Sequence, residues 1–94
     1  MAEAATPLIV PLPQILDLRA AAPLARELLA LRGMPVALDA SRVERLGALC
    51  LQALLSAQMM WRADGAPLTL INPSPAFLEC AASLGALDAE TRAA

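Results

Sequence analysis

The side chains able to do chemistry are few in this chain, and they lie apart. Its 94 residues include no histidine, two cysteines and seven basic residues, all of them arginine. Without imidazole the chain lacks the group that most often moves protons near neutral pH. The remaining carboxylates and hydroxyls stand singly. No Gly-rich phosphate loop, Ser-centred nucleophile elbow or paired-carboxylate motif occurs. Cys50 and Cys80 fall within helical patterns, and two ligands do not complete a zinc site, so both read as packed, reduced thiols. Asp17 and Asp39 each close an apolar run, but a metal between them would need further oxygen ligands. The inventory argues against an enzyme and predicts neither a cofactor nor a metal.

What remains is recognition. Arg42, Glu44 and Arg45 cluster between an apolar run ending at Asp39 and a long helical pattern opening at Gly47. A rigid strand presents such a loop, and binding residues favour loops held in this way. Gly47 and Ala48 are small enough to let a partner backbone approach, and a helix N-terminus adds partial positive charge beside the two arginines. The expected partner surface is therefore Arg42, Glu44, Arg45, Gly47 and Ala48. Met59, Met60 and Trp61 are consecutive, so one helical stripe cannot bury all three. Met60 and Trp61 join the candidate surface as interface-prone side chains; the competing expectation is that Trp61 closes the core against the Gly65 turn.

These positions need elements to hold them. Leu8–Leu12, interrupted by Pro11 and followed by Pro13, reads as an edge strand. Ile15, Leu16 and Leu18 suggest a second strand, paired with the first as a hairpin. Leu24, Leu28 and Leu31 recur at helical spacing and place a helix over 20–31, with Pro23 in its first turn and Gly33 as its left-handed cap. Pro35–Asp39 is a short continuous apolar strand of the kind found at a sheet centre. A loop follows over 40–46. The second helix is expected over 47–61, with Leu51, Leu54, Leu55 and Met59 inward and Gln52 and Ser56 outward. Leu68, Leu70 and Ile71 form the next strand. Ser74 then caps a third helix that starts at Pro75 and stops at Gly85, with Phe77, Ala81 and Leu84 on one face. The fold class is α/β, a mixed β-sheet with helices, in the order β-β-α-β-α-β-α. One domain is expected over 8–87, with a flexible N-terminus over 1–7 and a flexible tail over 88–94.

Composition limits the setting. The formal charge is −2, which suggests neither a nucleic-acid face nor an acidic tail. Apolar residues make up 59% of the chain with one Phe, one Trp and no Tyr, so the core is aliphatic. No apolar run reaches the roughly 18–20 residues that span a bilayer, and residues 1–7 lack a signal peptide's basic start. The expected location is cytoplasmic, without membrane insertion.

The ordered features Leu16-Asp17-Leu18, Leu38-Asp39-Ala40-Ser41, Gly65 and Asn72-Pro73-Ser74 resemble the STAS domain, the fold of bacterial anti-sigma-factor antagonists. The likeness covers about residues 8–87. The chain stops soon after the third helix, where the family usually adds a strand and a fourth helix. In the family, Asp-Ser/Thr-x-Gly opens the second helix and its hydroxyl is phosphorylated. Here those positions are Gly47, Ala48, Leu49 and Cys50, so the phosphosite position is a degenerate one, Ala48. The wording from Asp39 to Ala48 is also similar to small STAS proteins encoded beside chemotaxis genes in alphaproteobacteria. The resemblance implies a non-catalytic protein-interaction module in bacterial signal transduction, chemotaxis-associated and not phospho-switched at the family site, with a kinase, receptor or anti-sigma factor as partner. Its alternatives are a small subunit on the ATPase of an ABC lipid transporter, or an anti-sigma-factor antagonist.

Overall fold

The computed structural model describes residues 6–84. The elements run β1 (Leu8–Pro11), β2 (Ile15–Leu16), α1 (Leu18–Ala30), β3 (Val36–Asp39), β4 (Arg45–Leu46), α2 (Ala48–Asp64), β5 (Leu68–Ile71) and α3 (Pro75–Ser83). The expected α/β class holds, with one element more than the sequence suggests. The expected stop at Gly85, the tail over 88–94 and most of the N-terminus over 1–7 lie outside the described residues.

Two corrections concern strands. β1 and β2 form no hairpin. β1 pairs with β3 in parallel, and β3 with β5 in parallel, giving a three-stranded sheet of order β1-β3-β5. β2 pairs in parallel with β4, the two-residue strand inside the expected loop. Both sheets are parallel rather than mixed. Pro11 and Pro13 explain the lost hairpin: the intervening bend carries the chain away before β2, and Pro13 has no N–H for a ladder beyond it.

The helices follow from their caps. Asp17 caps α1, its carboxylate accepting the Arg19 N–H at 3.0 Å and the Ala20 N–H at 3.3 Å. The helix therefore starts two residues earlier than its apolar stripe suggests. Pro23 then lies in the second turn, and the acceptor it leaves unused belongs to exposed Arg19. Gly65 ends α2 at φ 76°, a left-handed turn that a side chain would strain. Ser74 caps α3 through the Phe77 N–H at 3.0 Å, with Pro75 in the first turn as expected.

Val10, Val36 and Leu38 point into a core completed by Leu24 and Leu28 of α1, Leu51, Leu54 and Trp61 of α2, and Phe77 and Ala81 of α3. Ile9 and Thr69, one register position on, are exposed on the other side of the sheet. Arg32 and Asp64 join the far ends of α1 and α2 through two hydrogen bonds, at 2.8 and 3.2 Å.

Candidate interaction surface

The loop after β3 is braced on every side. The Ala40 N–H donates to Ile71 O at 3.0 Å, and Ala40 O accepts from Val43 N and Ser74 N. Ala40 and Val43 are buried, and the Ser74 hydroxyl donates to the Val43 carbonyl. The N–H groups of Glu44 and Arg45 both donate to Gln14 O, and the Gln14 amide donates to the Glu44 carboxylate at 3.0 Å. Such a frame fixes the backbone that carries exposed Arg42, Glu44 and Arg45, which lowers the cost of ordering the loop on binding. Arg42 and Glu44 share a shallow polar depression with Gln14, Ser41 and the Ser74–Pro75 start of α3.

Asp39 stays at the loop root. Its carboxylate accepts the Ser41 N–H at 2.9 Å. That bond, then one from the Ser41 hydroxyl, with Asn72 and Arg42 adding less, holds its carboxyl below the usual carboxylate range. Asp17 is committed to its own helix cap.

The start of α2 docks on the start of α1. The Gly47 N–H donates to Leu16 O at 2.8 Å, and the Cys50 thiol donates to Asp17 O at 3.2 Å. Cys50 is fully buried, and burial first, with the nearby Asp17 charge second, pushes its thiol pKa up. Gly47 is the N-cap of α2 but supplies no side-chain acceptor, and Ala48 is the exposed first helical residue. Around these adjoining first turns, beside exposed Arg19, three large apolar side chains stand exposed. Leu18 is 73% exposed, Leu49 50% and Ile15 40%. Sequence reading missed this trio. Leu49 carried a usable signal, because it falls outside the Leu51–Leu54 stripe.

The far end of α2 does not join this surface. Met60 and Trp61 lie twelve and thirteen residues beyond Ala48, about 18–20 Å along a helix. Trp61 is fully buried, and its indole N–H donates to Met34 O at 2.6 Å. Its assignment to a partner surface is therefore corrected: it closes the core beside the Gly65 turn. Met60 is half-buried against the core. Met59, expected inward, is instead 70% exposed. Leu51, Leu54, Ala57 and Trp61 form the continuous buried stripe, and helical geometry turns Met59 away from it.

Among the described residues no group of three or more His, Cys, Asp or Glu side chains could hold a metal, and no helix is long and apolar enough to cross a membrane. No curated protein and no solved structure matches the chain. A family model described as Mlab, STAS domain, matches residues 3–89. That match spans nearly the whole sequence, and it agrees with the strand-loop-helix corner just described; the chain belongs to the STAS domain family.

Proposed function

We propose that this chain is a non-catalytic protein-interaction module whose partner seats on the adjoining first turns of α1 and α2 and on the braced loop before α2. The observation that carries this reading is the apolar exposure of Leu18, Leu49 and Ile15, the last in register with exposed Arg45, next to a loop that hydrogen bonds hold fixed. Apolar anchors ringed by charged residues suit a protein partner. Ala48 offers no hydroxyl at the first position of the helix, so binding here is not phospho-switched at that position. The partner is a bacterial signalling protein, a kinase, receptor or anti-sigma factor, and the chemotaxis setting comes from the sequence resemblance alone.

A second reading makes the chain a small subunit on the ATPase of an ABC lipid transporter. The same unswitched apolar surface favours it, because a permanent subunit needs no release device. Affinity purification of the tagged full chain from its native cell separates the two: a signalling kinase or receptor supports the first, an ABC ATPase the second. Leu18→Asp with Leu49→Asp should abolish capture while leaving the circular dichroism spectrum unchanged. Arg42→Glu with Arg45→Glu should weaken capture of an acidic partner. Unchanged capture by both folded double variants would place the partner elsewhere.

A further inference from the structure

The two edges of the three-stranded sheet are built differently. In a parallel ladder, alternate residues turn both backbone groups toward one neighbour. On β1 the Leu8 N–H bonds to Pro35 O at 3.0 Å and the Leu12 N–H to Asp39 O at 2.9 Å, so even-numbered residues face β3 and odd-numbered residues face outward. Pro7, Pro11 and Pro13 all stand at outward positions. From 7 to 13, Ile9 alone keeps an outward donor. Prolines of this kind guard an edge against further strands.

Among the described residues, β5 carries no such guard. The Val36 N–H bonds to Pro67 O and the Ala40 N–H to Ile71 O, so its odd-numbered residues face β3. Leu68 and Leu70 therefore turn both N–H and C=O outward. The strand Leu68-Thr69-Leu70-Ile71 has neither proline nor charge. Beside it, between α2 and α3, runs an apolar groove of about 200 Å³ lined by residues that include Leu54, Leu55, Leu70, Phe77 and Ala81. Among the described residues its only polar lining side chains are Gln58 and Thr69, and none is charged.

We infer that β5 is a pairing edge and that its occupant is β5 of a second copy, antiparallel across a twofold axis. A segment that fits must be extended, uncharged and apolar at alternate positions, and β5 meets that description itself. A neutral strand also meets its own copy without charge repulsion. Leu68 lies opposite Leu70 of the second copy and exchanges hydrogen bonds with it. Thr69 then meets Thr69 of the second copy on the axis as a non-hydrogen-bonded pair, with Cα atoms about 4.5 Å apart. The leucines of each strand stay on the helix side, at the mouth of the neighbour's groove. Both copies use the same edge, so assembly closes at two, and the proline-guarded β1 strands form the outer rims. This inference stands apart from the proposed partner surface, which lies on other residues.

Sedimentation equilibrium of the full chain, from micromolar to high-micromolar concentration, should reveal a species of twice 9.8 kDa. Thr69→Lys should convert it to monomer with an unchanged circular dichroism spectrum, because Thr69 is exposed and like charges directly across a pair repel. Thr69→Cys with Cys80→Ser should form an inter-chain disulfide on mild oxidation, since the spacing on the axis falls within the disulfide range of about 4.4–6.8 Å. A wild-type chain monomeric at every concentration would give the edge to a partner of other sequence and overturn the inference. So would a dimer that survives Thr69→Lys, or a Thr69→Cys variant that does not cross-link.

Discussion

Single residues in this chain act through where their polar atoms end. Cys50 is buried and spends its thiol hydrogen on Asp17 O, whereas Cys80 is half-buried. The sequence reading treats the two as equally hidden, since both sit in apolar helical settings; what separates them is which face of its own helix, α2 or α3, each occupies. A thiol reagent should therefore modify Cys80 in the native state and Cys50 only on unfolding, as peptide mass mapping would record. Equal rates would mean that the first turn of α2 opens freely. Asp39 sets a pH dependence. Its folded pKa lies below the ordinary value, so the stability it contributes is full above the unfolded pKa of about 3.9 and is lost as pH falls through the lower folded pKa. Asp64, held down first by its hydrogen bond to Arg32, acts in the same direction. Melting temperatures measured from neutral to acid pH should stay level until that region and then fall. Asp39→Asn should flatten the fall; an unchanged acid limb would remove Asp39 from the account.

At the scale of elements, short polar braces decide the architecture, and these are what sequence patterns convey least. Ser74 is legible as an N-cap from its place before Pro75, but its second bond, to the Val43 carbonyl, joins residues 31 positions apart. Ser74→Ala should cost at least the usual loss of a cap, about 0.5–2 kcal/mol, and a urea midpoint would measure it. A change within error would mean that water replaces both bonds. Helix periodicity located α1, α2 and α3 because each buries a stripe. It put Met59 inside and Trp61 in doubt because the stripe was extended from Leu55 instead of through Leu54, Ala57 and Trp61. β4 stayed hidden for a different reason. Two residues, one of them the exposed Arg45, carry no alternation to read, and the pairing exists through β2 alone.

At the scale of the molecule, the α/β class and the central place of β3 were legible, because a continuous Val-Ala-Leu run suits a strand flanked on both sides. Strand partners were not, because nothing in Leu8–Leu18 states that β1 and β2 go to different sheets. Of the exposed apolar trio at the helix starts, Leu49 alone was legible, by falling outside the buried stripe of α2; Ile15 and Leu18 look the same in sequence as leucines and isoleucines that are buried. The placement of Trp61 has a consequence of another sort. The chain has one tryptophan and no tyrosine, so its near-ultraviolet emission comes almost wholly from this indole. The indole is sealed from solvent at the end of α2 opposite the proposed partner surface. Its emission should therefore hold its wavelength while a partner docks, and shift to the red only when the core opens. The protein carries a built-in optical gauge of its own unfolding, one blind to binding. If red shift and loss of helical circular dichroism coincide in urea, the chain unfolds as one cooperative unit.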